Sequence, residues 1–101
     1  MQKHTKIYLS SCNYDSTDFI PSELSFQRAV DVHHIISRGK GGEDIIENLM
    51  AVTREEHIEF GDKKEWMYFL LVRHYDFLLK KGADFNKEWF EVQFKKYKEL
   101  I

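Results

Sequence analysis

Three histidines and one asparagine that could form a hydrolytic site lie close together in the sequence: His33, His34, Asn48 and His57. Imidazole is the commonest ligand of transition metals, and it also suits general-base work near neutral pH. Adjacent residues on a strand point to opposite faces, so His33 and His34 cannot do the same job. One of the pair can face a metal while the other faces a substrate. A divalent ion with a base beside it suits hydrolysis of a phosphodiester.

The segments that carry these residues predict a β-hairpin followed by a helix. Residues 29–35 (AVDVHHI) are rich in β-branched side chains, and residues 48–53 (NLMAVT) predict a second strand. Residues 37–44 contain three glycines and predict the loop between the strands, which then pair antiparallel. Thr53 and Glu56 have the spacing of a capping box, so a helix is expected to begin there, with the last of the three histidines on its first turns.

The C-terminal part of the chain predicts two further helices. The first covers residues 62–82, with Asp62 as its cap and Gly82 just after its end. An apolar run at residues 66–72 goes round the whole helix surface, which predicts a helix buried on most sides or covered by a partner chain. Asn86 can cap the last helix. One stripe of that helix carries Phe90, Phe94, Tyr97 and Ile101.

These elements together predict an α+β fold in one domain, residues 1–101, because 101 residues suit a single domain. Its hairpin-and-helix core would span about residues 29–61, and a helical extension about residues 62–101. An N-terminal segment with a short helix (KHTKIYLSSC), ending near Pro21, would precede the core.

Composition limits the classes of function. The net charge is -2, so any basic surface for nucleic acid must be local. Cys12 is the single cysteine, which excludes an intrachain disulfide and fits a reducing compartment. The N-terminal sequence lacks an apolar signal core and no run has membrane-spanning length, so a cytoplasmic location is expected. His4, His74 and Cys12 are expected to be structural or surface residues.

The stretch DVHHIISRGKGGEDIIENLMAVTREEH resembles the ββα-metal motif of HNH endonucleases. The shared pattern is a histidine pair followed by isoleucine, a Gly-Gly loop, Asn-Leu at the second strand and a histidine on the helix. From about Lys3 to Lys64 the chain is similar to small phage- and prophage-type HNH proteins. The resemblance implies a nuclease of a bacterial or phage-infected cell that hydrolyses DNA.

The resemblance also implies a role for each motif residue. His34 would be the general base that activates water, and His33 and His57 would bind one divalent ion, Mg²⁺, Mn²⁺, Ni²⁺ or Zn²⁺. Asn48 would hold the loop so that the base is oriented. A third ligand in some HNH nucleases falls at Gly61, which cannot serve. Asp62 is expected not to reach the ion, because it could do so only if the helix had already ended.

Lysine and arginine side chains near the motif are candidates for contacts with DNA phosphates: Arg38, Lys40, Lys63 and Lys64. The modest net charge favours two alternatives to an independent nuclease. One is a DNA-binding protein on an HNH scaffold with weak or lost activity. The other is an accessory to phage DNA packaging whose activity depends on a partner.

Two cysteine pairs that usually bind a structural zinc in the resembled subfamily are missing. Their positions hold Ser22 and Ser25 in one segment, and Thr53 and Glu56 in the other. Because hydroxyls are poor zinc ligands and one carboxylate cannot replace four thiolates, no structural zinc is expected. The aromatic segment 66–101 is expected to supply the missing stability, by packing on the core or by forming a homodimer.

Overall fold

An antiparallel hairpin lies at the centre of the computed structural model, which describes residues 1–98. Strand β1 (Asp31–His34) pairs with β2 (Leu49–Val52), and the register places Asp31 opposite Val52 and His34 opposite Leu49. Both strands are shorter than the sequence predicts, because single hydrogen bonds from Val30 and Ile35 replace the regular ladder at its two ends. With four α-helices around this hairpin in the described residues, the predicted α+β class is confirmed.

The helix after the hairpin, α2 (Arg54–Phe60), begins with the predicted capping box. The Thr53 hydroxyl accepts a hydrogen bond from the Glu56 amide at 3.1 Å, and the Glu56 carboxylate accepts one from the Thr53 amide at 2.8 Å. Such a cap contributes about 1 kcal/mol of stability. The helix ends at Phe60, and Gly61 follows in an extended conformation.

The next helix, α3 (Lys64–Lys81), is not capped by Asp62 as predicted. Asp62 has a left-handed backbone with φ of 59°, and its carboxylate meets the ammonium group of Lys40 at 3.0 Å. The N-cap residue is therefore Lys63, which makes no side-chain cap hydrogen bond. The other end matches the prediction, since Gly82 follows the helix with φ of 71°.

Within the chain the apolar run of α3 is buried on one face only, so of the two predicted alternatives only cover by a partner chain stays a prediction. Met67, Leu70 and Leu71 are 0–1% exposed, whereas Trp66 and Phe69 are 36% and 38% exposed. A run of this length exceeds one helical turn and must present side chains to both faces. Only the inner face is buried, in the same hydrophobic core as the residues of β2.

Helix α4 (Lys87–Lys98) packs along α3, and helix α1 (Lys3–Ser11) packs on the hairpin. The Asn86 side chain accepts a hydrogen bond from the Trp89 amide at 3.2 Å, which confirms its predicted capping role. Phe90 and Tyr97 are buried, as expected for the apolar stripe, whereas Ile101 lies outside the described residues. Helix α1 ends at Ser11, well before Pro21. None of the described helices is both long and apolar enough to cross a membrane.

Candidate metal and base site

His33 and His57 come together across β1 and α2. Their ring centres lie 4.6 Å apart with the planes tilted by 53°. Two imidazoles that hold one ion at metal–nitrogen distances of about 2.1 Å have ring centres roughly 4–5 Å apart. Nε2 of His33 is buried without a hydrogen-bond partner, which a metal ion would explain. The two residues therefore fit a divalent ion.

The environment of His33 favours the form that binds metal. Burial, reinforced by the positive charges of neighbouring His57 and His34, lowers the pKa of His33 to about 4. The ring is then neutral at pH 7, as a ligand must be. Among residues 1–98, no group of three or more histidine, cysteine, aspartate or glutamate side chains is arranged to hold an ion. Water and substrate oxygens would complete the coordination of an ion at these two rings.

The absence of a side chain at Gly61 provides the space in which the two imidazole rings approach each other. A Cβ atom there would lie 3.0 Å from Cδ2 of His57 and 3.2 Å from Cε1 of His33, and it would overlap the His57 carbonyl oxygen. The position at which the resemblance implies a third ligand in some HNH nucleases is therefore filled by backbone packed against the ligand pair.

Asp31 holds His57 from the outside, a role that the sequence did not predict. Its Oδ2 atom lies 3.2 Å from Nδ1 of His57 and 2.9 Å from Nε of Arg54. Burial by itself raises the pKa of Asp31, but the hydrogen bonds from His57 and Arg54 bring it below its ordinary value. Metal-binding histidines commonly donate one ring N–H to a carboxylate in this way, which fixes the ring and leaves Nε2 free for the metal. The sequence did carry a signal for this role, because Asp31 and His33 are two positions apart on one strand and therefore lie on the same face.

His34 lies beside the pair and contacts two residues that the sequence did not assign to the site. Its Nε2 atom lies 2.6 Å from Oδ1 of Asp44. The ring centre of His4, on α1, lies 4.7 Å from the ring centre of His34. Burial, followed by the positive charges of His34 and Arg38, lowers the pKa of His4. His4 thus lines the same cleft, a position that the sequence did not predict.

Asn48 is fully buried and ties the loop to the end of β1. Its amide nitrogen donates to the carbonyl oxygens of Ile36 and Glu43, both at 3.0 Å, and its oxygen accepts from the Ile36 amide at 2.8 Å. A side chain at Gly42 would overlap the Ile36 carbonyl and lie within 2.9 Å of the Asn48 amide nitrogen. Glycine at that position therefore permits the hydrogen bonds that close the loop.

Asp62 also lines this cleft, although among residues 1–98 it does not join the two histidines in a group that could hold an ion. The cleft measures about 370 Å³ and is bordered by His4, Val32, His33, His34, Ser37, Arg38, His57 and Asp62. Because α2 has ended at Phe60, the chain turns back and brings Asp62 to the histidines. The Lys40 ammonium group is the main cause that lowers the pKa of Asp62 below its ordinary value.

The four candidate DNA-contacting cations divide into two pairs. Arg38 donates to both oxygens of Asp44 at 3.1 and 3.2 Å, and Lys40 pairs with Asp62. Lys63 and Lys64 are exposed at the start of α3. Arg38 borders the cleft, and Lys40 pairs with Asp62 at its edge, whereas the exposed lysines follow just after Asp62 along the chain.

The four residues at the positions of the missing zinc cysteines are linked by hydrogen bonds to the side chain of Glu56. Oε1 of Glu56 accepts hydrogen bonds from the Ser22 hydroxyl at 2.5 Å and from the Thr53 amide at 2.8 Å. The Ser22 hydroxyl accepts in turn from the Ser25 amide at 3.2 Å. Burial tends to raise the pKa of Glu56, but the Ser22, Ser25 and Thr53 hydrogen bonds lower it overall. The carboxylate thus joins the 22–25 segment to the start of α2.

Helix α3 braces the same segment from the other side. Glu23 and His74 side chains are fully buried, with Oε1 and Nδ1 2.7 Å apart, and the Tyr8 hydroxyl donates to Glu23 at 2.6 Å. Nε2 of His74 donates to the Ile46 carbonyl at 2.7 Å. Arg73 donates to the carbonyl oxygens of residues 23 and 24. His74 is therefore structural, as expected, but it lies at the centre of a buried polar network.

Comparison of the sequence and structure with models of known families, with curated proteins and with solved structures gave no significant match. The motif residues and their geometry are therefore the observations from which a function can be argued.

Proposed function

We propose that the protein is a metal-dependent endonuclease of the HNH type, with a ββα-metal site that hydrolyses DNA phosphodiester bonds. The observation that carries this proposal is the pair formed by His33 and His57, 4.6 Å apart, in which Nε2 of His33 lacks a partner. His34 follows His33 directly on β1. The order of strand, loop, strand and helix supports the proposal, because the motif requires those elements in that order.

Each side chain has a defined task in this proposal. His33 and His57 would hold one divalent ion, Mg²⁺, Mn²⁺, Ni²⁺ or Zn²⁺, with Asp31 orienting His57. When bound, the ion supplies Lewis-acid stabilisation of negative charge on the phosphate and the leaving 3′ oxygen. His34 takes a proton from the attacking water. Asn48 keeps the loop closed, so that the position of the base is fixed relative to the strands.

DNA would reach the cleft over the exposed lysines at the start of α3. Lys63 and Lys64 would contact backbone phosphates, which position the duplex without reading its sequence. Arg38 and Lys40 would reach a phosphate only by sharing or leaving their carboxylate partners. Two of the four cations are thus partly neutralised before DNA arrives.

That neutralisation favours a second candidate: a DNA-binding or phage DNA-packaging accessory on an HNH scaffold. Its nuclease activity would be weak, lost or dependent on a partner, because few free cations give weak independent binding to DNA. A partner protein, or a second copy bound through the C-terminal helices, would add the missing contacts. A cytoplasmic location suits both candidates.

A plasmid-nicking assay separates the two candidates. The purified protein is stripped with EDTA, each of the four ions is added back separately, and His34→Ala is assayed alongside. Nicking that returns with metal and falls by about 10²–10⁴-fold in His34→Ala supports the nuclease. A folded wild-type protein that binds the ion but cuts with none of them refutes the independent nuclease and supports the accessory.

The DNA path is tested by binding to a short duplex at several salt concentrations. The double variant Lys63→Ala/Lys64→Ala should reduce the salt slope of binding by about 2, since each phosphate contact contributes about one. Lys95→Ala/Lys96→Ala is the matched control, because it removes two exposed lysines from α4. Equal losses in both variants would show that the lysines act through net charge alone.

A further inference from the structure

His34 is anchored through one of its two ring nitrogens. Nε2 lies 2.6 Å from Oδ1 of Asp44, and both side chains are mostly shielded from solvent, at 15% and 20% exposure. The hydrogen bond from His34 is the main reason that the pKa of Asp44 lies below its ordinary value. Asp44 is therefore a carboxylate that can only accept, and Nε2 of His34 carries the shared proton. Nδ1 is the nitrogen left free.

Asp44 is itself held in place by two neighbours. Arg38 donates to both of its oxygens, at 3.1 and 3.2 Å. The adjacent residue, Glu43, accepts a hydrogen bond from the Asn48 amide through its backbone carbonyl at 3.0 Å. Asn48 is fully buried, so the loop position of Asp44 is fixed from the protein interior. Asn48 is thus connected to the ring of His34 by one hydrogen bond to Glu43, the chain from Glu43 to Asp44, and a second hydrogen bond from Asp44.

The His34 ring also packs against the ring of His4. The two ring centres are 4.7 Å apart, and the planes are tilted by 52°. A rotation of the His34 ring that replaced Nε2 by carbon would break the bond to Asp44 and disturb this contact. The ring is therefore confined to one orientation by a hydrogen bond and a packing contact that come from different elements.

We propose that Asp44 is the positioning residue of the base: it fixes Nε2 of His34 and leaves Nδ1 to accept the proton of the attacking water. This inference deepens the proposed function and rests on it. As the water oxygen bonds to phosphorus, its proton passes to Nδ1, and the bond from phosphorus to the 3′ oxygen breaks. The 3′ oxygen leaves with the electron pair and takes a proton from solvent water. The Asp44 carboxylate then faces the imidazolium that has formed.

The role assigned to Asn48 also becomes specific. Asn48 would orient the base by holding the backbone next to Asp44, and not by touching the base itself. Arg38 would act mainly on Asp44, with phosphate contact as a secondary role. Both assignments follow from the same set of hydrogen bonds.

The proposal is tested with Asp44→Ala and Asp44→Asn. Single-turnover cleavage and metal affinity are measured for each, together with nitrogen-15 NMR of the histidine rings. Asp44→Ala should lower the cleavage rate at saturating DNA by about 10–100-fold, with DNA and metal affinities within about twofold of wild type. Asp44→Asn keeps an oxygen acceptor and should recover about a tenth or more of the wild-type rate. Asp76→Asn is the matched control, because it removes an aspartate from an ion pair on α3.

NMR supplies a readout that does not depend on cleavage. Wild type should show a ring N–H of His34 that exchanges slowly with water, identified by its loss in His34→Gln. The signal should disappear in Asp44→Ala and persist in Asp76→Asn. A wild-type rate in Asp44→Ala, or an N–H signal that survives in it, overturns the proposal. If wild type itself does not cut DNA, the proposed function fails, and the N–H signal alone decides whether Asp44 positions the ring.

Discussion

Replacing His74 by leucine should destabilise the protein severely, although the residue lies outside the candidate site. His74→Leu leaves the Glu23 carboxylate in the core with only the Tyr8 hydroxyl as a side-chain partner, and it removes the donor to the Ile46 carbonyl. Breaking a buried ion pair from one side costs about 3–5 kcal/mol. Because small domains have roughly 5–15 kcal/mol of stability, this is a large fraction of the total. The melting temperature should fall by roughly 12–40 °C.

The assay is urea unfolding followed by circular dichroism. The triple variant Tyr8→Phe/Glu23→Leu/His74→Leu is the control, since it removes the buried ion pair together with the hydroxyl group that donates to Glu23. Its free energy of unfolding should lie within about 2 kcal/mol of that of wild type, because replacing a whole set of buried polar side chains by apolar ones is often near neutral. A cost below about 1 kcal/mol in His74→Leu alone would refute the reasoning, because such a value belongs to exposed ion pairs.

The same pair should make stability depend on pH in a defined direction. Burial alone lowers the pKa of His74, but the attraction of Glu23 and its hydrogen bonds raise it above the ordinary value of 6.5. A raised histidine pKa stabilises the fold fully below 6.5, and this contribution is lost as pH rises through the folded-state pKa. The free energy of unfolding should therefore fall as the pH rises above 6.5 in wild type, and less so in His74→Leu.

Three further predictions concern Glu56 and the candidate metal ligands. Glu56→Ala should lower the free energy of unfolding by about 2–4 kcal/mol in urea titrations, because the Ser22 hydroxyl and the Thr53 amide lose their shared acceptor; an unchanged midpoint would contradict this. Asp31→Ala should weaken zinc or manganese binding about 10–100-fold in calorimetry, since the ring it orients is released; unchanged affinity would remove Asp31 from the site. Gly61→Ala should weaken binding of the same ions by displacing both ligand rings, and equal affinity to wild type would show that the backbone yields instead.

The locally determined parts of the fold could be predicted from sequence. The capping box of Thr53 and Glu56, the cap at Asn86 and the left-handed glycine at Gly82 each depend on residues a few positions apart. The pairing of the two strands also followed, because one glycine-rich loop joins them. Bounds were less accurate for the strands, which are shorter than predicted because single hydrogen bonds from Val30 and Ile35 replace the regular ladder at its ends.

Residues that reach the site from distant segments could not be predicted from spacing alone. His4 arrives on α1, and its contact with His34 depends on how that helix packs against the hairpin. Asp44 comes from a loop whose path is set by Asn48, so its distance to the base is a tertiary property. Asp62 lines the cleft because α2 ends at Phe60, but among residues 1–98 it forms no three-residue ligand group with the histidines.

Because the Glu56 carboxylate links the two segments, the fold does not depend on a metal ion at this position, whereas the proposed activity does depend on one. A small domain whose segments are joined by zinc loses its fold when the ion is removed. Here hydrogen bonds join the two segments, so scarcity of a divalent ion would empty the proposed site at His33 and His57 without separating them. The proposed nuclease would then persist as a folded, inactive protein, and the proposed activity would return on the timescale of ion binding without any need to refold.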